Sequence, residues 1–177
     1  MIEHYTITKT LKRDLDRACE LFAGAITYQK ARGYPQYLHT DRAGVKKAIE
    51  EGLHFKVMVG DEIAAVFNIL FNDRIIWRHH EIGNAVYLHR IITNQKYKGN
   101  LLFEKIRDWA EETLCKKHRR KVIRLDTWAN NPNLIKYYER FGFEIIEYFT
   151  MPTTPELSSN HWGSDAVLME YKVNGSR

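Results

Sequence analysis

Residues 126–143, with the sequence DTWANNPNLIKYYERFGF, constrain the fold more than any other part of the chain. A strand end leads through an Asn/Pro turn into a short amphipathic helix, which closes on a Gly-Phe pair. Asn131 and Tyr138 are about two helical turns apart, so their side chains lie on the same side of this helix. Such a pair can face a ligand that lies along the helix, although the spacing alone does not identify the ligand.

The rest of the chain alternates short strands and helices. Hydrophobic periodicity predicts the order β-α-α-β-β-β-α-β-α-β-β, with antiparallel strands first and a β-α-β crossover after them. This order predicts an α/β fold with a single mixed sheet. Residues 72–84 are predicted as a polar connection and 151–165 as a long surface loop. Thr10 and Asp41 are predicted to cap the first two helices, and Gly60-Asp61 is predicted to form a tight hairpin turn. The predicted strands are 2–8, 53–60, 62–71, 86–93, 121–127, 143–150 and 166–172, and the predicted helices are 11–30, 41–51, 99–118 and 133–141.

Length and composition indicate one globular domain over residues 1–177, with 44% hydrophobic residues. The longest apolar run, 63–71, is too short to cross a membrane. The first residues lack the apolar region of a signal peptide, so we expect a cytoplasmic protein with no membrane partner. Cys19 and Cys115 are too few for a disulfide framework or a zinc site, and both are predicted to be buried thiols.

The net charge is +5, and much of it lies in the basic cluster 116–121. A solvated helix end is the favoured interpretation, because cations complement the C-terminal end of a helix dipole. Attraction of an anionic ligand such as a nucleotide 3′-phosphate is a second interpretation, and nucleic-acid binding is a third. Aromatic residues do not interleave with the cluster, so we expect no nucleic-acid partner.

The run N-x-x-L-I-x-Y-Y-E-x-x-G-F that begins at Asn131 resembles the last motif of the GNAT superfamily of N-acetyltransferases. The predicted element order is similar to that of the superfamily from residue 2 to about 172, which implies a GNAT-type mixed sheet. The resemblance implies that Asn131 contacts the coenzyme A arm and that Tyr138 protonates the departing thiolate. Tyr137 points about 100° away on a helix, so motif counting favours Tyr138 as the acid.

The resemblance also suggests a function for a second segment, residues 88–101. A strand, a loop rich in lysine and the start of a long helix can hold a phosphate, although such a loop is more often simply solvated. The superfamily carries Gln/Arg-x-x-Gly-x-Gly/Ala here, whereas this chain reads KYKGNL, so only Gly99 matches strictly and Leu101 replaces a small residue. The resemblance implies a pyrophosphate site at 98–101 and an oxyanion donor in strand 91–93. The implied acetyl-coenzyme A ligands are Ile91, Ile92, Thr93, Lys96, Lys98, Gly99, Asn100, Leu101, Asn131 and Tyr138.

The sequence offers two candidates for the general base and does not decide between them. His89 lies on the predicted strand 86–93, where strict alternation would place it on one face with Tyr87 and Ile91. Its surroundings resemble those in arylalkylamine acetyltransferases, which implies a role in proton removal, while a structural histidine is the alternative. Glu81 is the second candidate base. His79 and His80 are predicted to be surface residues, and no metal site is expected because further ligands at suitable spacing are missing.

The acceptor pocket is predicted from aromatic residues near the first helix and in the late loop. Aromatic faces attract ammonium groups and also line apolar pockets, while packing against each other is the alternative. The predicted wall consists of Tyr28, Tyr34, Tyr37 and Trp162.

Together these features predict an N-acetyltransferase that moves the acetyl group of acetyl-coenzyme A to a primary amine of a small molecule through a ternary complex. A non-catalytic acyl-coenzyme A-binding module or sensor is the alternative. The sequence leaves the amine, the acyl-chain preference and a homodimer undecided.

Overall fold

The computed structural model describes residues 4–173 and contains a seven-stranded sheet in the order β1-β2-β3-β4-β5-β7-β6. The predicted α/β fold with a single mixed sheet is confirmed, and residues 2 and 3 of the first predicted strand lie outside the described residues. The strands are β1 (Thr6–Lys9), β2 (His54–Val59), β3 (Glu62–Leu70), β4 (Ala85–Thr93), β5 (Val122–Trp128), β6 (Glu144–Thr150) and β7 (Asp165–Lys172). The helices are α1 (Leu15–Ala31), α2 (Arg42–Glu50), α3 (Arg74–Trp77), α4 (Leu102–Trp109), α5 (Lys116–His118) and α6 (Pro132–Glu139).

The strand directions follow the predicted pattern. β1, β2 and β3 pair antiparallel in sequence, while β4 and β5 pair in parallel across an intervening helix. β7 then lies antiparallel between β5 and β6, which makes β6 an edge strand. Helices within residues 4–173 are all too short or too polar to cross a membrane.

The described chain forms two compact units, and the prediction of one domain over 1–177 stays a prediction. The first unit comprises residues up to 69 together with 89–106. Its helix α1 buries side chains at helical spacing, because the intervals of three and four residues place them on one face. These core residues are Ala18, Leu21, Phe22 and Ala25.

Two predicted caps in this unit have different outcomes. Asp41 caps α2 as predicted, since its carboxylate accepts a hydrogen bond from the Gly44 N–H at 2.9 Å. Thr10 was expected to cap the first helix, but its hydroxyl contacts His54 Nδ1 at 2.7 Å instead. The Asp14 carboxylate accepts from the Leu11 N–H at 2.8 Å, and a 3₁₀ turn at Lys12–Asp14 precedes α1.

The second unit comprises 70–88 and the described residues from 107 onward. Its core corrects the prediction that 72–84 is only a polar connection, because Trp77 is fully buried there. The short helix α3 carries this residue and begins after Asp73, whose carboxylate accepts from the Ile76 N–H at 3.1 Å. Trp77 packs in a cluster with Ile76, Ala85, Tyr87, Val122, Met151, Ala166 and Leu168.

The predicted helix 99–118 begins at Leu102 and changes its winding along its length. α4 continues through a π-helical segment at Ala110–Cys115 into α5. The helix ends at Arg119, which adopts a left-handed conformation with φ of 53°. Cys115 is buried as predicted, whereas Cys19 is only partly buried.

Candidate active site

Asn94 holds the loop before α4 against β3, within the first unit. The Asn94 N–H donates to the carbonyl of Ala64 at 2.9 Å, and its side-chain oxygen accepts from the Lys96 N–H at 3.1 Å. These bonds define a 3₁₀ turn over Gln95–Tyr97. The chain therefore reaches α4 through a tight turn held against β3.

Two residues of this loop have positive φ, namely Gly99 at 85° and Leu101 at 53°. Glycine adopts this conformation readily, but a leucine side chain is strained in it. Leu101 occupies the position at which the resembling motif carries glycine or alanine. Leu101 therefore departs from the motif in sequence, while its backbone keeps a positive φ that glycine adopts more readily than leucine.

Backbone N–H groups accumulate at the start of α4. Within the described part of the chain, the N–H groups of Gly99, Leu101 and Leu102 donate no hydrogen bond, whereas that of Asn100 donates to the Tyr97 carbonyl at 3.2 Å. Unpaired N–H groups at a helix start, together with the helix dipole, favour an anion. The residues present therefore fit a phosphate-bearing ligand.

The two lysines of this loop differ in their partners. Lys96 Nζ lies 2.6 Å from Glu62 Oε2, which also accepts from the Tyr97 hydroxyl, and these hydrogen bonds lower the pKa of Glu62. Lys98 Nζ instead donates to the Tyr28 hydroxyl at 2.6 Å and lies 4.9 Å from the centre of its ring. Lys98 contacts no carboxylate among residues 4–173, so its charge is the less compensated of the two.

The predicted alternation along β4 is interrupted. Arg90 has a φ of 50°, which breaks the extended backbone, and its guanidinium lies 2.6 Å from Asp41 Oδ2. Side chains on either side of such a residue do not keep one alternating pattern. The extended backbone on which the expected shared face of His89 and Ile91 depends is therefore interrupted at Arg90. His89 itself is partly buried.

The helix α6 has the predicted start, since Asn131 caps it and Pro132 follows at its first position. The Asn131 side-chain oxygen accepts from the Leu134 N–H at 3.2 Å. Tyr137 packs edge-on against Phe141 with ring centres 4.9 Å apart, whereas the ring of Tyr138 lies 6.2 Å from that of Phe143. The two adjacent tyrosines therefore have different neighbours.

Glu81 lies in a hydrogen-bond network of the second unit. Its carboxylate accepts from the Tyr87 hydroxyl, from the Asp73 N–H at 2.9 Å and from the Gly83 N–H at 2.6 Å. Burial opposes ionisation, but the hydrogen bonds prevail and lower the pKa of Glu81. A carboxylate held in this way is a weak proton acceptor.

This network extends to Arg124, which sequence reasoning did not select. Arg124 is buried, and its guanidinium lies 2.8 Å from Glu170 Oε2 and 3.0 Å from the Tyr87 hydroxyl. Burial and the bond to Glu81 raise the pKa of Tyr87. The available signal was a charged residue inside the apolar strand segment VIRL, since a buried arginine requires partners.

The aromatic residues of the predicted acceptor wall have separate environments. In the first unit, Tyr37 is a core residue whose ring centre lies 4.8 Å from that of Phe22, while Tyr34 is exposed. In the second unit, Trp162 is 45% exposed and its indole N–H donates to the carbonyls of Thr154 and Leu157, closing the late loop. Tyr28 contacts Lys98, which associates it with the loop before α4.

The second unit contains a cluster of potential metal ligands, formed by His79, His80 and Glu147. Their ligand atoms lie within 4.8 Å of one another. His80 is partly buried rather than a plain surface residue.

The basic cluster 116–121 lies at the end of the long helix, where three of its side chains have partners in the second unit. Lys116 pairs with Glu112, and His118 packs on Phe71. Arg120 donates to the Gly83 carbonyl.

Comparison with known proteins identifies the family. The family model described as the acetyltransferase (GNAT) family matches residues 15–143. An uncharacterized N-acetyltransferase, YesJ of Bacillus subtilis, is 30% identical over 103 residues, which are 56% of this chain and 57% of the length of that relative.

Solved structures share the fold. A GNAT-family acetyltransferase from Listeria monocytogenes has a TM-score of 0.75 at 20% identity, covering 95% of this chain and 94% of that chain. Spermidine N-acetyltransferase from Vibrio cholerae, in complex with CoA and spermine, has a TM-score of 0.63 at 16% identity, covering 96% and 95% of the two chains. The chain therefore belongs to the GNAT family of acetyltransferases.

Proposed function

We propose that the protein transfers the acetyl group of acetyl-coenzyme A to a primary amine of a small molecule, with both substrates bound at once. One observation carries the proposal: the N–H groups of Gly99, Leu101 and Leu102, at the start of α4, have no acceptor within residues 4–173, and Lys98 directly precedes them in the chain. This arrangement suits the pyrophosphate of coenzyme A, and family membership supplies the reaction class.

The cofactor-binding residues follow from this placement. We assign the pyrophosphate to 98–101, with a smaller contribution from Lys96 because Glu62 already compensates its charge. The backbone of 91–93 would pair with the pantetheine arm and donate to the developing oxyanion. Asn131 would contact the arm through its amide nitrogen, since its oxygen caps α6.

Acetyl transfer also requires an acid and a base. We assign the acid to Tyr138, because α6 carries it at the position of the acid in the family motif and its hydroxyl can give a proton to the departing thiolate. We assign the base to His89 in preference to Glu81. The Glu81 carboxylate is engaged by three donors, and its lowered pKa weakens it as a proton acceptor.

The acceptor is proposed to be a small amine bound by exposed aromatic faces. Tyr34 and Trp162 are exposed enough to contact a ligand, whereas Tyr37 is buried and packs against Phe22. Ammonium groups bind favourably over such faces. The likeness to a spermidine acetyltransferase that holds spermine makes polyamines a sensible first group of test compounds.

The test is a panel of primary amines supplied with acetyl-coenzyme A, with release of the coenzyme A thiol as the readout. Tyr138→Phe should lower kcat by roughly a hundredfold while acetyl-coenzyme A affinity is retained, because it removes only the acidic proton. Tyr137→Phe is the matched control and should keep the rate. Equal rates in the parent and Tyr138→Phe would refute the acid assignment.

A second candidate function is an acyl-coenzyme A-binding module without turnover. The left-handed Leu101 in the phosphate loop and the engaged Glu81 favour it. Binding of acetyl-coenzyme A without thiol release for any amine of the panel would support this alternative.

A further inference from the structure

We propose that His79, His80 and Glu147 bind a divalent transition-metal ion, independently of the acetyltransferase reaction. Each residue offers one ligand atom, and these atoms lie within 4.8 Å of one another. His80 Nε2 is 3.0 Å from Glu147 Oε2, so the two ligands already meet although they are far apart in sequence. The third ligand atom comes from His79, whose ring centre is 4.0 Å from that of His80.

The two histidines are held by the core of the second unit. They lie in the 3₁₀ turn Arg78–His80 that directly follows the buried Trp77. The His80 carbonyl accepts from Arg124 Nη1 at 2.8 Å, and Arg124 is itself held by Glu170 at 2.8 Å. A ligand whose backbone is fixed by a buried cation loses little freedom when it binds a metal.

Glu147 reaches the same place because of a β-bulge in the edge strand β6. The register with β7 shifts between Ile145, which lies opposite Met169, and Glu147, which lies opposite Leu168. Ile145 and Glu147 therefore lie on opposite faces despite being two residues apart. Leu168 belongs to the cluster around Trp77, so the bulge turns Glu147 toward the face on which the histidine turn packs.

The donor set selects the class of ion. Two imidazole nitrogens and one carboxylate oxygen suit Zn²⁺, Co²⁺ or Ni²⁺, whereas Mg²⁺ and Ca²⁺ prefer oxygen ligands. Three protein ligands leave at least one position for water. His79 is exposed, which gives an ion access from solvent.

Arg78 competes with such an ion. Its Nη2 lies 2.6 Å from the same Glu147 Oε2 that His80 contacts, and its Nη1 donates to the Ile76 carbonyl at 2.8 Å. Without a metal, the guanidinium neutralises Glu147 and keeps its carboxylate beside the histidines. Bound metal would repel this cation, so removing Arg78 should strengthen metal binding. A cluster that served only as an ion pair would gain no metal affinity from that change.

The experiment measures Zn²⁺ affinity by competition with a chromophoric chelator. We expect one site in the parent protein, weakened roughly tenfold or more in Glu147→Gln and His79→Asn, and tightened in Arg78→Gln. His118→Asn, an exposed histidine outside the cluster, is the control and should keep the parent affinity. His79→Asn replaces an exposed side chain, so its fold should be retained, and circular dichroism checks this.

Two results would overturn the metal site. One is a parent protein that does not compete with the chelator, and the other is an unchanged affinity in both Glu147→Gln and His79→Asn. Co²⁺ supplies an independent readout, because its visible absorption reports coordination by the protein. The spectrum should appear with the parent and be lost with Glu147→Gln. Neither readout depends on acetyl transfer, so failure of the proposed enzyme would not affect the outcome.

Discussion

Lys98 Nζ lies 2.6 Å from the hydroxyl oxygen of Tyr28, and this contact links the loop before α4 to α1 within the first unit. The hydrogen bond from Lys98 lowers the pKa of Tyr28. The same lysine directly precedes in sequence the backbone N–H groups of the proposed pyrophosphate site. Tyr28 is thereby associated with the proposed cofactor loop, whereas the sequence suggested it only for the acceptor pocket.

Lys98→Ala should weaken acetyl-coenzyme A binding by roughly tenfold at low salt, because it removes the less compensated cation of the loop. Calorimetric titration at two salt concentrations measures this loss, which should shrink as salt rises. Tyr28→Phe keeps the lysine and is the matched control, with little expected change. Identical affinities for Lys98→Ala and the parent would remove Lys98 from the cofactor site.

Two glycine substitutions should have opposite effects on stability. Alanine at Gly99 should lower the free energy of unfolding by about 1 kcal/mol, because its φ of 85° strains any side chain although no atom lies within 4 Å of the added Cβ. Alanine at Gly24, which is exposed within α1 and has equally open space, should raise that free energy by about 0.5–1 kcal/mol. Urea denaturation of both variants measures the two changes in the free energy of unfolding. Equal shifts for the two would show that the loop does not hold Gly99 in a left-handed conformation.

Arg124→Met should lower the free energy of unfolding by roughly 3–5 kcal/mol, because it leaves Glu170 and the Tyr87 hydroxyl without their buried partner. Lys172→Ala is the control, since its ion pair with Glu144 is largely exposed and should contribute less than about 1 kcal/mol. Chemical denaturation at neutral pH measures the free energy of unfolding of both variants and of the parent protein. A loss for Arg124→Met no larger than that for the control would contradict a structural role of the network.

Stability should fall as the pH drops from neutral, in part because of His54. Burial and the nearby Arg90 lower the pKa of His54 to about 4, although Asp14 opposes this. Between that value and the ordinary value of about 6.5, the unfolded chain binds the proton and the folded chain does not, so stability rises with pH across this window. The contribution lost at pH 5 is about 2 kcal/mol.

His54→Gln should flatten the dependence of unfolding free energy on pH between pH 5 and 7, since glutamine does not titrate there. It should also keep a partner for Thr10, whose hydroxyl contacts His54 in the parent. His118→Gln, which replaces an exposed histidine, should keep the parent slope. A parent slope that survives in His54→Gln would assign the pH dependence to other groups.

Local patterns predicted much of the fold because strands, caps and tight turns depend on neighbouring residues. The hairpin at Gly60, with φ of 58°, and the Asp41 cap are examples. The helix α3 was missed because four residues contain no helical periodicity, and a single buried Trp77 resembles any aromatic residue in a polar segment.

Other parts of the candidate site lacked a sequence signal. Arg90 and Leu101 adopt positive φ, which sequence reasoning expects of glycine or asparagine. The meeting of His80 and Glu147 depends on the fold of the second unit and on the bulge in β6, so neither segment indicates the other. The Gly99 loop and the Tyr138 helix were found because they resemble family motifs.

Calorimetric titration with acetyl-coenzyme A tests the proposed cofactor most directly. The parent protein should bind it with a stoichiometry of one and a Kd below about 1 mM, the usual upper range for enzyme substrates. Gly99→Ala should weaken this binding, because it strains the loop whose N–H groups hold the pyrophosphate. Absence of binding by the folded parent at millimolar acetyl-coenzyme A would contradict both the proposed acetyltransferase and the acyl-coenzyme A-binding alternative.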